Sequence, residues 1–313
     1  MDPIPYGKHH ISQEDIDAVI EVLRSERLTQ GPKIAEFEKA FAKYIGAKYA
    51  VAVSNGTAAL HLSTLALKVK PGDKVITTPI TFAASANSVL YAGGEIIFAD
   101  IDPDTYLLDI NEVERILASQ PEGTVKGIIP VDFSGRPIDM EAFRTLADKY
   151  NCWIIEDACH APGGFFTDSM EKNQKCGNGH YADLAIFSFH PVKHIAAGEG
   201  GMITTNDYGL YEKLRLLRTH GIQQDPSKFE MSDGPWYYEM QELGFNYRLT
   251  DMQAALGLSK LKKIGYYLEK RREIAAFYSD RLETIAGIKN YSVFMNGHAY
   301  HLYIALVEDR LGL

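Results

Sequence analysis

The sequence predicts an α/β fold in which a mostly parallel central sheet is covered by helices on both faces. Strand-like and helical segments alternate from about residue 49 to residue 219, a pattern typical of parallel strands joined by helical crossovers. The strand-like segments are rich in Val and Ile and nearly free of charge, as expected for strands buried on both faces. The 313 residues are enough for a large domain, which we place at 1–250, and a smaller C-terminal α/β domain that begins at 251 and occupies 251–313.

Composition and charge exclude several classes of protein. The formal net charge is −9, so the basic surface that nucleic-acid binding needs is missing, and an anionic ligand would require a local cluster of cations or N–H groups. No apolar segment reaches the roughly 18 residues of a membrane-spanning helix, and the N-terminus lacks a signal-peptide core. The cysteines, Cys152, Cys159 and Cys176, have no metal-ligand spacing, and the first two lie in an apolar strand context. We therefore expect buried thiols, no metal site, no membrane contact and a cytoplasmic location.

The chain begins with an arm and two helices. Residues 1–11 read as an extended arm. An amphipathic helix begins after Ser12, which serves as N-cap before an acidic first turn, and continues to about Ser25. A loop at Leu28–Pro32 leads into a second helix from about Lys33 to Tyr44.

The alternating part follows. Its predicted strands are Tyr49–Ser54, Lys74–Thr78, Glu95–Asp100, Lys126–Asp132 and Trp153–Asp157. Its predicted helices lie between them at about 57–69, 82–92, 109–118 and 138–150. The glycine-rich segment Gly163–Gly179 is predicted as a loop or insertion. Two further strands, Ala182–His190 and Gly201–Thr205, are close enough in sequence to pair antiparallel.

The C-terminal part contains a helix at 207–219, an irregular aromatic segment at Phe229–Tyr238, one or two helices over 250–282, and strands within Ile288–Val307. Ligands of open α/β sheets bind at the carboxyl ends of the strands. The chemically distinctive residues of this chain fall at those ends, so we expect one composite site.

Lys193 is the most distinctive of these residues. It follows an apolar, β-prone segment (ADLAIFSFH) and precedes the glycine-rich segment Gly198–Gly201. Burial there would lower the pKa of the lysine and free its amine to attack a carbonyl group. On this segment alone, an ordinary surface lysine on a connecting loop is an equal alternative.

Two segments earlier in the chain could hold a planar, phosphorylated ligand. Ser54–Leu60 joins a strand to a helix through small residues, and free N–H groups at a helix start favour phosphate. Simple capping by Ser54 or Asn55, with Gly56 easing the turn, is the alternative. Phe82, just after the next strand, could stack on a planar ring or belong to the core.

Asp157 and His160 complete the set. Asp157 ends a buried strand, where a carboxylate is costly without a cationic or hydrogen-bonded partner. A protonated pyridine nitrogen would be such a partner, and His160 could contact the polar edge of the same ring. Taken alone, these residues are better explained by structure, with Asp157 as a cap of the following segment and His160 as a structural histidine.

Together, a phosphate-binding turn, a stacking aromatic residue, a buried aspartate and a lysine on successive strands are typical of a pyridoxal 5′-phosphate (PLP) site. The chain resembles the DegT/StrS-type nucleotide-sugar aminotransferases, of the fold-type I PLP class. The likeness extends from about residue 5 to residue 305 and includes VAVSNGTAALHLS, IIEDACHA, FSFHPVKHIAAGEGGMITTN and LGFNYRLTDMQAALGLSKL. Within the family, PYGKHHIS, SERLTQGP, TTPITF and FSFHPVKHI are most similar to transaminases of UDP-4-keto-6-deoxy-N-acetylhexosamines in the pseudaminic acid pathway.

The resemblance implies roles for single residues. It implies that Lys193 binds the cofactor as a Schiff base and acts as general base and acid, while Asp157 pairs with the pyridine nitrogen. It places His160 near the phenolic oxygen of the ring and Phe82 on the ring face.

The same resemblance assigns the cofactor phosphate to Gly56, Thr57, Ala58 and Ser188. It further implies that Asn246 reaches the phosphate of the neighbouring subunit's cofactor, so that the active unit is a homodimer with shared sites.

The nucleotide-sugar is assigned by resemblance to Tyr6 and the loop of Arg27, Leu28 and Thr29. The implied reaction moves an amino group from an amino acid, glutamate, to C4 of the UDP-linked keto-sugar.

The sequence departs from the family pattern in two places. Ala196 and Ala197 stand where family members usually have two threonines before GEGG. Family members also usually continue for some sixty or more residues beyond the end of this sequence, so the small domain is expected to be incomplete and sugar binding to be weakened.

Three alternatives remain open at this point. A PLP-dependent sugar dehydratase of the same fold has histidine in place of the lysine, and His194 lies next to Lys193. A catalytically weak or non-catalytic cofactor-binding homologue would account for the short C-terminus. A dinucleotide-binding enzyme is disfavoured because the turn SNGTAAL has no GxGxxG pattern.

Overall fold

The computed structural model describes residues 7–223, 225–231, 234–291 and 295–310. The helices of this part are α1 (Gln13–Leu23), α2 (Pro32–Ile45), α3 (Gly56–Ala66), α4 (Ala84–Tyr91), α5 (Ile110–Ser119), α6 (Met140–Lys149), α7 (Tyr208–Arg218), α8 (Asp251–Leu261) and α9 (Ile264–Leu282). The strands are β1 (Tyr49–Val53), β2 (Lys74–Thr77), β3 (Glu95–Phe98), β4 (Val125–Ile129), β5 (Trp153–Asp157), β6 (Phe165–Thr167), β7 (Asn173–Lys175), β8 (Leu184–Ser188), β9 (Gly201–Thr205), β10 (Ile222–Gln223), β11 (Glu239–Met240), β12 (Ile288–Tyr291) and β13 (Ala305–Val307).

Seven strands form the central sheet in the order β1-β9-β8-β5-β4-β2-β3. Neighbouring strands are parallel from β8 to β3, and only β9 runs against both of its neighbours. The predicted mostly parallel sheet is therefore confirmed, and so is the antiparallel pairing of the strands on either side of Lys193.

Alternate residues of the strands point to opposite faces of the sheet. In β1, Ala50 and Ala52 belong to a core with α2, α8 and α9, whereas Val51 and Val53 belong to a second core with α3 and α7. Side chains of β2, β4 and β5 form a third core with α5 and α6. Helices cover both faces, which explains the nearly continuous apolar character of the strands.

The structure adds detail to two predictions about local structure. Gly163–Gly179 is not only a loop, because β6 and β7 within it pair as an antiparallel hairpin. Ile288–Val307 is not mainly strand, because β12 and β13 are separated by a buried irregular turn at 298–302 in which Ala299 is fully buried. The polar strands of the hairpin and the short buried turn both lack the apolar alternation that identifies a strand.

Helix starts follow the expected capping chemistry. Ser12 and Asp15 form a capping box at α1, and Thr250 and Gln253 form one at α8. The second capping box begins the predicted 250–282 segment, and the turn between α8 and α9 divides it into two helices. Within the described residues, no helix combines the length and the apolar character needed to cross a bilayer.

Candidate active site

Two adjacent strand ends bring Asp157 and the segment before Lys193 to one edge of the sheet. β5 and β8 are parallel neighbours in which Asp157 pairs with Ile186. The chain leaves β8, turns at His190, whose carbonyl accepts the N–H of Lys193 at 2.8 Å, and so returns the lysine toward this edge. The sheet topology thus assembles residues that lie on separate segments of the sequence.

Lys193 is half-buried beside an imidazole. Its Nζ lies 3.5 Å from Nε2 of His301. Burial lowers the pKa of Lys193, and electrostatic interactions with Cys159 and Asp157 oppose this change only partly. A larger fraction of the amine is therefore neutral than in an exposed lysine, as a nucleophilic or basic amine requires.

Asp157 is 5% exposed and is held from two sides. The hydroxyl of Ser85 donates to its Oδ2 at 2.8 Å, and the N–H of Cys159 donates to its Oδ1 at 3.2 Å. Thr81 in turn contacts the Ser85 hydroxyl at 2.8 Å. Both carboxylate oxygens have donors, which keeps the group oriented in a buried place.

Sequence reasoning did not identify Ser85. It lies in the first turn of α4, and a serine among the small residues of TFAASANS gives no signal of its own. Only the packing of α4 against the end of β5 shows that this hydroxyl reaches the carboxylate.

Three histidines surround the lysine. The ring of His301 lies 4.3 Å from that of His160 and 5.8 Å from that of His194. Nδ1 of each ring is buried and has no hydrogen-bond partner among the described residues. Burial lowers the pKa of His160 and His194 to about 3 and also lowers that of His301. The imidazoles are therefore neutral at physiological pH and leave polar atoms available to a bound group.

The 298–302 turn brings His301 to this position. Ala299 donates to the carbonyl of Gly135 at 2.8 Å, and Arg271 donates to the carbonyls of Tyr300 and His301 at 2.9 and 3.1 Å. Gly135 has φ +97°, and an added Cβ would lie 2.7 Å from the carbonyl oxygen of His160. Only glycine fits this close approach, so the packing of the His301 segment against the His160 segment requires Gly135. No sequence pattern singles out His301 or Arg271.

The N-terminus of α3 forms a small concave surface next to Ser188. An added Cβ on Gly56 would lie 3.1 Å from Cβ of Ser188 and 3.7 Å from Sγ of Cys159. The Asn55 side chain accepts the N–H of Ala58, so this N–H already has an acceptor. The same hydrogen bond confirms the capping interpretation for Asn55. In the first turn, Gly56 and Thr57 have no intrahelical acceptor for their N–H groups, so an anion can bind there.

The remaining predicted residues lie around this centre or away from it. Phe82 is 73% exposed, and its carbonyl accepts the N–H of Ser85, which places it near Asp157. Asn246 is exposed and pairs with Thr219. Tyr6 lies outside the described residues.

The loop of Arg27, Leu28 and Thr29 is tied to the start of α8. The carbonyl of Leu28 accepts the N–H of Asp251, and Thr29 pairs with Thr250. Within one chain, Arg27 belongs to a separate cleft of about 410 Å³ that does not include Lys193.

A buried acidic group lies next to Asp157. Ligand atoms of Asp132, Glu156 and Cys176 lie within 4.8 Å of one another, an arrangement that the predicted lack of a metal site did not anticipate. Burial raises the pKa of Asp132 to about 7 and that of Glu156 well above its ordinary value, with the charge of Asp132 as a second cause for Glu156. Both carboxyl groups therefore favour the protonated form more than exposed carboxyl groups do.

The chain is similar in sequence and in fold to known proteins. The family model described as the DegT/DnrJ/EryC1/StrS aminotransferase family matches residues 9–311. A Campylobacter jejuni protein, UDP-4-amino-4,6-dideoxy-N-acetyl-beta-L-altrosamine transaminase, is 42% identical over 280 residues, which are 90% of this chain and 70% of that protein.

Two solved structures are also similar. Helicobacter pylori PseC, an aminotransferase of pseudaminic acid biosynthesis, superposes with a TM-score of 0.83 at 32% identity and covers 98% of this chain and 78% of its own. A sugar aminotransferase of Streptococcus pneumoniae in its PLP form has a TM-score of 0.85 at 27% identity, with 97% and 78% covered.

Proposed function

Because the chain belongs to the DegT/DnrJ/EryC1/StrS aminotransferase family, we propose that it transfers an amino group to C4 of a UDP-linked 4-keto-6-deoxy-N-acetylhexosamine. Glutamate is the proposed amino donor. The finer choice of sugar is supported by the 42% identity to the Campylobacter jejuni transaminase. The observation that carries the proposal is a half-buried lysine of lowered pKa beside a fixed carboxylate and a helix N-terminus.

Enzymes of this family depend on PLP, and the residues at the sheet edge fit that group. The first turn of α3 offers N–H groups beside Ser188 for the phosphate. The carboxylate of Asp157, oriented by Ser85, suits a protonated ring nitrogen, and the unpartnered Nδ1 of His160 suits a polar ring substituent. When bound, PLP supplies an electron-accepting ring that lowers the barrier to removing a proton next to the donor's amino group.

The role of Lys193 follows from its pKa and its surroundings. In its neutral form, Nζ can accept the proton that leaves the α-carbon of the donor, and it can later deliver a proton to C4 of the sugar. His301, neutral and with Nε2 3.5 Å from this amine, limits its orientation.

The role of Asp157 is electrostatic. Fixed by two donors and enclosed in a low-dielectric place, its charge favours a cation at the position of the ring nitrogen. Ser85 contributes by holding Oδ2 in one orientation.

The active unit is proposed to be a homodimer. Support comes from Asn246, which is exposed in the single chain and which the resemblance to the family places on the neighbouring cofactor phosphate. The same proposal includes substrate roles for Tyr6 and Arg27–Thr29 and a stacking role for Phe82. It also includes the division into domains at residue 250.

The test replaces Lys193 by alanine. Lys193→Ala is expected to abolish turnover with glutamate and the keto-sugar while the protein still binds pyridoxamine phosphate, because the other contacts to the cofactor remain. Lys175→Ala is the matched control, since burial also lowers the pKa of Lys175 and this residue lies on the β6–β7 hairpin.

Absorption spectra supply a second readout. The wild-type protein with PLP should lose its yellow band on addition of glutamate, and the Lys175→Ala protein should do the same. Normal turnover by Lys193→Ala, or a wild-type protein that never binds PLP, would refute the proposed function.

A further inference from the structure

His61 is the one ionisable residue of α3, the helix whose first turn includes Gly56 and Thr57 at the proposed phosphate position. It is 7% exposed and lies within a run, residues 58–64, that is buried throughout. A buried imidazole needs a hydrogen-bond partner. The cofactor-binding residues described above do not include this histidine, so the identity of its partner shows what it holds in place.

The partner is Tyr247, which lies 186 residues later in the chain. Its hydroxyl is 3.2 Å from Nδ1 of His61. The Phe245 ring packs edge-on against the imidazole, with ring centroids 4.8 Å apart, and stacks on the Tyr247 ring at 5.1 Å. Tyr91 is the third ring in contact with the imidazole, at 5.5 Å. His61 thus attaches the side chains of the 245–247 segment to α3.

The backbone of this segment is held on two sides. Phe245 donates to the carbonyl of Leu217 at 2.7 Å, and Tyr247 donates to the carbonyl of Arg218 at 3.1 Å. The carbonyl of Tyr247 accepts the N–H of Ser54 at 2.8 Å, just before the proposed phosphate-binding turn. The segment therefore lies between the end of α7 and the start of α3.

Asn246 lies between the two aromatic residues, in an extended segment that pairs with Thr219. Successive side chains of an extended segment point to opposite sides. Phe245 and Tyr247 share the side that faces His61, so Asn246 is on the other side, where it is exposed. A rotation of the segment about its axis would move all three side chains together. The contacts of His61 therefore fix the direction in which Asn246 is presented.

We propose that His61 is a positioning residue for cofactor binding: through Tyr247 it holds Asn246 in the orientation in which Asn246 reaches the cofactor phosphate of the neighbouring subunit. The place of Asn246 on that phosphate rests on the proposed function, whereas the contact between His61 and Tyr247 does not. Because α3 begins at the phosphate-binding turn of its own subunit, one helix then serves the phosphates of both cofactors in the dimer.

The experiment compares two ligands that differ only in the phosphate. Pyridoxamine phosphate and pyridoxamine are titrated separately by calorimetry into the protein freed of bound cofactor. The ratio of the two dissociation constants measures the contribution of the phosphate to affinity. Neither ligand forms a Schiff base with Lys193, because each carries an amine in place of the aldehyde. The measurement therefore requires no turnover.

His61→Phe and Tyr247→Phe each remove one partner of the hydrogen bond and keep an aromatic ring in place. Burial lowers the pKa of His61, so the bond joins two neutral groups. We expect each variant to bind pyridoxamine phosphate about three- to tenfold more weakly than wild type, the range for one such bond. Affinity for pyridoxamine should stay within about twofold of wild type, because Asp157 and His160 are unchanged. A general disturbance of the fold would instead weaken both ligands.

Asn246→Ala shows whether His61 acts through Asn246. This variant should lose phosphate-dependent affinity by itself, and His61→Phe added to it should cause no further loss, since the group to be positioned is already absent. A further loss equal to that in wild type would show that His61 acts on the phosphate-binding turn of its own subunit, which overturns the proposal. Wild-type affinity of Asn246→Ala for pyridoxamine phosphate would overturn it as well.

Tyr181→Phe is the matched control. The Tyr181 hydroxyl also makes a hydrogen bond of 3.2 Å, to Asp168, but its ring packs against the core formed with α5 and α6. Wild-type affinity for both ligands is expected for this control. If wild type does not bind pyridoxamine phosphate, the proposed function fails together with this inference. If wild type binds it and transfers amino groups while His61→Phe keeps the wild-type affinity, this inference alone fails.

Discussion

At the scale of single residues, the hydrogen bond from Ser85 to Asp157 is the contact whose contribution can be measured most directly. Ser85→Ala should leave Oδ2 of Asp157 without its donor, at a cost of about 1.5–3 kcal/mol for a charged acceptor. We expect kcat/KM to fall by about tenfold or more, because the carboxylate loses its fixed orientation toward the ring nitrogen.

Ser88→Ala provides the comparison. Ser88 is also buried in α4, but its hydroxyl donates to the carbonyl of Ser85 at 3.0 Å and not to Asp157. Both variants should lose stability, and only Ser85→Ala should lose activity. Equal losses of kcat/KM in the two proteins would show that the Ser85 bond has no special role.

Ionisable residues of the candidate site could be predicted from sequence. Lys193, Asp157 and His160 stand out because an ionisable group after an apolar strand needs an explanation. Ser85, His301 and Arg271 could not be found in this way, since their importance depends on which segments the fold brings together. The roles of all the predicted site residues, Phe82 and Asn246 included, stay predictions.

At the scale of secondary-structure elements, Asp15 joins α1 to α8. It is fully buried, pairs with Lys260 at 2.7 Å and with Lys263 at 3.0 Å, and accepts from Ser259 at 2.6 Å. These hydrogen bonds outweigh the opposing effect of burial and hold the pKa of Asp15 far below its ordinary value. Its contribution to stability is therefore present above about pH 4 and is lost as the pH falls further.

Asp15→Ala should lower the free energy of unfolding by about 3–5 kcal/mol, because it leaves Lys260 buried without a counter-ion. Asp17→Ala, on the exposed side of the same helix, should change it by less than about 0.5 kcal/mol. Urea unfolding at pH 7 measures both values. A loss below about 1 kcal/mol for Asp15→Ala would mean that water or another group compensates Lys260.

Elements with strong patterns were predicted well, and those without were not. The helix start at Ser12 and strands such as β5 and β9 follow directly from capping residues and apolar runs. The β6–β7 hairpin has polar strands of three residues each, too short for alternation to identify them. The 298–302 turn is buried by contacts with 134–135, which no local pattern encodes.

At the scale of the whole molecule, buried neutral histidines make stability depend on pH. Burial lowers the pKa of His160, His194 and His298 to about 3 and lowers that of His301 as well. In the unfolded chain each would have a pKa of about 6.5. Between these values the unfolded state binds more protons, so stability falls as the pH drops below about 6.5.

At pH values well between the folded and unfolded pKa values, the free energy of unfolding changes by about 1.4 kcal/mol per pH unit for each histidine. His298→Gln removes one such group and retains an acceptor for the N–H of Tyr300, which His298 Nδ1 accepts at 2.8 Å. Between pH 6 and pH 5, wild type should therefore lose about 1.4 kcal/mol more than the variant in urea unfolding.

Comparing the two proteins also removes an opposing effect. Because its pKa is raised, Asp132 contributes less to the free energy of unfolding as the pH rises from about 4 to about 7. This change is common to both proteins. Parallel pH curves for wild type and His298→Gln would show that folding does not lower the pKa of His298.

The 298–302 turn has a consequence for the order of events during translation. His301 is synthesised 108 residues after Lys193, so at ordinary rates of elongation the lysine leaves the ribosome about 5–20 s before its imidazole neighbour. During that interval the nascent chain has the strands that flank the lysine but not the segment that encloses it. Maturation of the reactive amine is thereby delayed until almost all of this sequence has been made.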